Sequence, residues 1–198
     1  MLASITPLGE RGRNNRYWFT TAWHIAGAAV GGAAVGTLAG AVGAALQPST
    51  AVANGGALVV ALLALLFDLR VGGLRLPTVK RQVNERWLDD YRGWVYGVGY
   101  GAQLGAGVVT IVTTAAIYAA LVLATLTGSV AGGALIGLVF GLVRGASVLI
   151  TARTSDAGSL RALHRRMARV APTTRNATLA IYAVGAVAAG LLLVGPGS

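Results

Sequence analysis

The chain has 198 residues, 55% hydrophobic and 11% charged, with a formal net charge of +10 and no cysteine. A soluble domain carries about a quarter charged residues, so this composition and a mean hydropathy of +0.68 point to a membrane protein. The lack of thiols excludes disulfides, thiolate metal sites and a thiol relay made by this chain alone, and two histidines with six acids argue against a metal cluster or bound cofactor.

The first residues, MLASITPLGERGRNNR, lack a short apolar core followed by a cleavage site, so no cleaved signal peptide is expected. Apolar stretches then recur at lengths that suit a bilayer. The pattern predicts five spans, at residues 17–46, 51–67, 94–126, 130–151 and 177–194, in an all-α polytopic bundle forming a single transmembrane domain over 1–198. The first and third exceed the roughly 20 residues a bilayer requires, so tilt, a kink or extension beyond the membrane is expected of them.

Glycine recurs every fourth residue in three of these spans. Gly32, Gly36 and Gly40 lie in the first, Gly97, Gly101 and Gly105 in the third, and Gly133, Gly137, Gly141 and Gly145 in the fourth. That spacing puts each set on one helix face. In water each glycine weakens a helix by roughly 1 kcal/mol. In lipid the same faces let backbones touch, because association there depends on close packing. The regular spacing, deep in apolar segments, also rules them out as nucleotide loops.

The third span carries a polar stripe as well. Tyr96, Tyr100, Gln103, Gly107, Thr110 and Thr114 follow an i, i+4, i+7 pattern and share one face. Thr20, His24, Gly27 and Gly31 align in the same way on the first span. Polar groups at membrane depth are functional candidates by default, and a seam between these spans would suit a solute or proton. The bland alternative is that the threonines bond their own backbone and that Gln103 and His24 bond each other or another helix as packing glue. Arg144 is the one basic residue inside a span. It is expected to snorkel to the surface or pair with backbone; its functional alternative is an anion contact facing the seam.

Fifteen of the sixteen basic residues, and all six acids, fall before the first span or in the connections 68–93 and 152–176. The connections 47–50 and 127–129 carry no charge. The positive-inside rule makes the charged side cytoplasmic, with the N-terminus inside and the C-terminus outside. Trp18, Trp23, Trp87 and Trp94, with Tyr17 and Tyr91, form an interfacial belt on that side. The segment SLRALHRRMAR has helical spacing and one basic face, and is expected along the inner surface against anionic lipid. Basic loops are the norm on this side, so no nucleic-acid partner is expected. The sequence holds no Ser-His-Asp set in one compartment, no HExxH and no phosphate loop, so no enzyme is expected. The Asn176-Ala177-Thr178 sequon lies on the cytoplasmic side, where it would not be glycosylated.

Three stretches carry a family resemblance. Residues 96–152, with the short turn before GSVAGGALIGLVFGL, residues 65–82 (LLFDLRVGGLRLPTVKRQ) and the basic loop LHRRMARVAP together resemble the cytochrome c biogenesis CcdA/DsbD-type transmembrane family, with its LysE-like exporter kinship. The resemblance implies a multi-pass protein of a bacterial inner membrane, in a scaffold of six helices arranged as two inverted halves, whose first and fourth helices each carry a redox cysteine. Here the match begins at the second helix, and the second cysteine would fall near Ala106 or Gly107 and is missing, so no thiol exchange carries over. A missing helix would leave a groove for a second copy or a partner membrane protein. Two functions follow as expectations: a small-solute or ion permease using the seam, or a non-catalytic membrane subunit or assembly factor, linked to cytochrome or thiol-redox machinery.

Overall fold

A computed structural model of the chain describes residues 5–73, 76, 91–107 and 114–195. Helix α1 (Pro7–Gly12) is short; Thr6 caps it by accepting from the Gly9 N–H at 3.0 Å, and Pro7 occupies its first position, where a missing N–H costs nothing. Helix α2 (Tyr17–Leu46) runs 30 residues and turns back at Gln47. Helix α3 (Thr50–Leu69) starts at a Ser49 cap. Helices α4 (Gly93–Ala106) and α5 (Ala116–Leu126) follow. Helix α6 (Val130–Ala146) starts at a Ser129 cap and continues as a 3-10 turn over Ser147–Thr151. Helix α7 (Ala157–Val194) is unbroken for 38 residues. Asp156 caps it by accepting from the Gly158 and Ser159 N–H groups at 2.7 and 2.9 Å. Those two bonds, that from Ser159 first, hold its carboxyl below the usual carboxylate range. The described residues contain helices and no strand.

Among the described residues, four helical stretches are long and apolar enough to cross a membrane: Tyr17–Leu46, Thr50–Leu69, Val130–Thr151 and Ala157–Val194. The continuous helix expected over 94–126 is instead two helices, and neither is long enough to span by itself. Gly107, just past Ala106, has φ +74°, a left-handed value that ends a right-handed helix and that glycine adopts freely. The last helix also differs from expectation. The basic segment expected to lie apart from the final span is continuous with it. The first, second and third of these stretches agree with the predicted spans 17–46, 51–67 and 130–151 to within two residues.

Helix α2 is the axis of the packing. Its Gly32, Gly36 and Gly40 face Gly133, Gly137 and Gly141 of α6 so closely that a Cβ on Gly36 would lie 2.8 Å from the Gly137 Cα. On another side Gly27 and Gly31 meet α4, where a Cβ on Gly31 would lie 2.8 Å from the Ala102 Cα. Gly101 and Gly105 return that contact, against the His24 and Ala28 carbonyls. Ala28 is fully buried because α4 and α6 both close on it. Outer faces remain apolar and uncovered: Val30, Leu38, Val143, Ile181 and Val184 are each more than 65% exposed, which suits side chains solvated by lipid.

The ends of the bundle are distinguishable. At one, Tyr17 donates to the Val148 carbonyl at 3.2 Å, Thr151 donates to the Ile5 carbonyl at 3.0 Å, and Gly93 abuts Thr20. At the other, Gly40 meets Ser129 and Gly128 meets Pro48. Arg11, Arg13, Arg16, Arg92 and Arg153 belong to the first end; the second, formed by residues 47–49 and 127–129, has no charge.

Candidate functional site

The most polar interior of the described residues lies where α1 docks on α2 and α4. Glu10 is fully buried. Its carboxylate accepts from Tyr96 Oη at 2.7 and 2.6 Å, from Thr20 Oγ1 at 2.8 Å and from Arg13 Nη2 at 2.7 Å. Asn15 Nδ2 donates to Tyr96 Oη at 3.2 Å, and the Arg13 guanidinium lies 5.7 Å from the Tyr96 ring centre. Three donors, one of them the counter-ion Arg13, meet one carboxylate, which is the condition under which a buried charge is tolerated. Burial works against the Arg13 cation, but hydrogen bonds to Glu10 and Tyr96 and the Glu10 charge outweigh it, so its pKa is raised. Sequence reading placed Tyr96 and Thr20 in the seam and missed Glu10. The available signal was the Thr-Pro pair at residues 6 and 7, a helix start that brings Glu10 onto a short helix before the first span.

The seam itself is only partly assembled. Tyr96 and Tyr100 are buried with ring centres 6.0 Å apart. His24 lies one turn deeper than Thr20 and is also buried; its Nδ1 and the Thr21 Oγ1 have no hydrogen-bond partner. Gln103 lies two turns past Tyr96 on α4 and is half-buried. Thr110 lies outside the described residues, as do Trp87 and the basic residues Arg75, Lys80, Arg81 and Arg86. Thr114 does not extend the Tyr96 face: it sits 3.4 Å from Tyr182 Oη of α7. The physical reason is the break after α4, which ends the helical periodicity on which a single stripe depended.

Thr114 belongs to a second cluster built on Asp68, at the end of α3. Asp68 Oδ1 accepts from the Ala115 N–H at 2.9 Å, Oδ2 accepts from Tyr182 Oη at 3.2 Å, and its carbonyl accepts from Arg175 Nη2 at 3.2 Å. A carboxylate thus meets the positive N-terminal end of α5. The opposite charge stands at the end of α4. Arg144 of α6 stacks on Phe140, with its Cζ 5.4 Å from the ring centre, and a Cβ on Gly107 would lie 3.4 Å from its Nη1. A cation beside the C-terminal end of a helix complements that dipole. Arg144 therefore sits against α4 and aromatic surface, between the snorkelling and backbone-pairing alternatives raised by sequence.

Where α2, α4, α5 and α6 meet there is a void of about 30 Å³ lined by Gly32, Gly36, Gly105, Ile117, Phe140 and other apolar atoms. A larger hollow of about 380 Å³ lies at the uncharged end, between Gly43, Leu46, Pro48, Val52, Thr125 and Leu126. Neither is lined by His24 or Gln103. No group of acids and histidines among the described residues is arranged to hold a metal ion.

No protein-family model, no curated protein and no solved structure matches the chain.

Proposed function

We propose that the chain is a non-catalytic, non-transporting membrane subunit: a rigid five-crossing scaffold in a plasma membrane that presents its outer faces and charged end to other components. In this reading α4 and α5 together make one interrupted crossing. Helix α4 starts beside Thr20 at the charged end, and the turn after α5 abuts Pro48 at the uncharged end. The charged end then faces the cytoplasm, with the N-terminus inside and the C-terminus outside. The observation that carries the scaffold reading is the closure of the seam. At His24, the residue best suited to a path, the backbones of α2 and α4 leave no space for a Cβ on Gly101. Opening a path there would need two helices to separate along a whole glycine face.

A permease for a small solute or ion is the second reading. One observation favours it: His24 Nδ1 and Thr21 Oγ1 are buried polar atoms without partners, and such atoms invite a proton, an ion or water. Reconstitution decides between the two. The scaffold reading expects proteoliposomes of the wild-type protein and of the Gln103→Leu variant to match protein-free liposomes in proton-flux and osmotic-swelling assays. Flux above that background, lost in Gln103→Leu or His24→Leu, would overturn it in favour of the permease.

A further inference from the structure

Helix α7 is two devices joined at Pro172. From Thr178 onward it packs on α3, and Arg175 and Tyr182 fasten it to Asp68 at 3.2 Å each. The preceding residues, 157–171, make no such attachment to the described residues, and Arg161, Arg165, Arg166 and Arg169 are all exposed. Successive residues of an α-helix turn about 100°. On that wheel Leu160, Leu163, Met167 and Val170 fall within one quadrant, Arg161, Arg165 and Arg169 occupy the opposite half, and Arg166 stands at its edge beside Val170. Among the described residues the apolar quadrant is left largely open: Met167 is 38% and Val170 48% exposed, and Leu160 and Leu163 are half-buried. From Ala157 to Val194 the helix contains no acid, so the arginines have no partner on their own helix.

An apolar quadrant under a purely basic face is the pattern of a helix that lies in the plane of an anionic bilayer surface. A helix continuous with a span projects away from that surface instead, so a bend is required, and the sequence supplies one. Pro172 has no N–H to donate to the Ala168 carbonyl and crowds the preceding turn. Thr174 and Thr178 donate back to the carbonyls of Val170 and Thr174 at 3.2 and 3.0 Å, contacts that favour bending. The anchor at Arg175 begins three residues after Pro172, about 4.5 Å along the axis. The weak point therefore sits between a fixed half and an unattached half.

We propose that residues 157–171 hinge at Pro172 and dock on the anionic lipid of the leaflet from which they emerge, with Leu160, Leu163, Met167 and Val170 in the acyl boundary and the arginines among the headgroups. A second copy of the chain is disfavoured as the occupant, because pairing two apolar quadrants would leave both basic faces without the counter-charge that anionic lipid supplies. The proposal rests on the membrane reading of the chain.

The chain has no cysteine, so single-cysteine labels can be placed without background. The full chain carrying a spin label at Leu163→Cys, Arg165→Cys or Val184→Cys is reconstituted in nanodiscs of phosphatidylcholine alone, or with about one-third phosphatidylglycerol, and read for accessibility to a water-soluble relaxation agent. The label at 184, on the exposed span face, must be protected in both discs; exposure there defeats the membrane reading itself. With 184 protected, docking predicts that 163 is protected and 165 accessible in anionic discs, with both accessible in neutral ones. Removing Arg165 and Arg166 together weakens docking by about fivefold for each charge, and Pro172→Ala reduces protection at 163. Accessibility at 163 in anionic discs overturns the proposal. So does equal protection in both lipids, and so does protection at both 163 and 165, which would mean that protein encloses the helix. Unchanged docking in Pro172→Ala overturns the hinge.

Discussion

Glu10 shows how one side chain fixes the position of a segment. Helix α1 has only six residues, too few to be stable alone, and its attachment depends on a carboxylate shared among Arg13, Thr20 and Tyr96. Removing the carboxylate leaves Arg13 half-desolvated and two hydroxyls without an acceptor. Breaking a buried pair from one side costs about 3–5 kcal/mol. Arg13 is 23% exposed, so we expect the lower end, about 3 kcal/mol, for Glu10→Ala, and about 2 kcal/mol for Tyr96→Phe, which deletes one bond to a charged group. Thermal unfolding in detergent checks both. Equal stability of Glu10→Ala and wild type would show that α1 is held by its apolar contacts, such as Ile5, alone. This cluster was invisible in sequence for a plain reason. Glu10 and Tyr96 are 86 residues apart, and no local periodicity joins a short amphipathic turn to the start of α4. Arg144 was legible as an oddity, since a cation in an apolar span is conspicuous. Its neighbour at Gly107 depends on where α4 ends, and that was not legible.

Helix elements were read from sequence where their signal is local. The glycine faces at 32–40 and 133–145 repeat every fourth residue, and a repeat of that period defines one helix face whatever lies opposite. The interruption of 94–126 was missed because the segment contains no charged residue and no proline, so hydropathy runs on where the backbone does not. The continuity of α7 was missed because Arg-rich sequence ends a hydropathy window without ending a helix. The glycine faces also make a prediction that separates packing from propensity. At Gly36 a Cβ would lie 2.8 Å from the Gly137 Cα, whereas Gly185 of α7 has nothing within 4 Å. Gly36→Val therefore has to separate two backbones, an overpacking cost of about 1–3 kcal/mol or more. Gly185→Ala gains helix propensity, up to about 1 kcal/mol. We expect the melting temperature in detergent to fall in the first and to hold or rise in the second. A Gly36→Val protein as stable as wild type would mean that α2 and α6 do not pack backbone to backbone in the folded protein.

At the scale of the whole molecule, charge and contact assign the ends independently and agree. Hydrogen bonds gather Ile5, Tyr17, Val148 and Thr151 at one end, and the arginines at 11, 13, 16 and 153 are their near neighbours in sequence. The turns at 47–49 and 127–129 share the other end through Pro48 and Gly128. A bundle whose basic residues were scattered over both ends would have no preferred orientation. This one places every charge of its described turns at one end, and the orientation proposed above rests on that bias. The test uses the cysteine-free background again. Arg11→Cys and Arg153→Cys are exposed positions at the charged end, and Pro48→Cys marks the other. In intact cells a membrane-impermeant maleimide is expected to label Pro48→Cys alone, and permeabilised cells are expected to add the other two. Labelling of Arg11→Cys and Arg153→Cys from outside would invert the orientation. That would place the basic arm of α7 on the external face, where the anionic leaflet that we propose it docks against is not found. Labelling of Arg11→Cys and Pro48→Cys from the same side would instead show that α2 does not cross, even though its 30 residues correspond to about 45 Å of helix, more than a bilayer core requires.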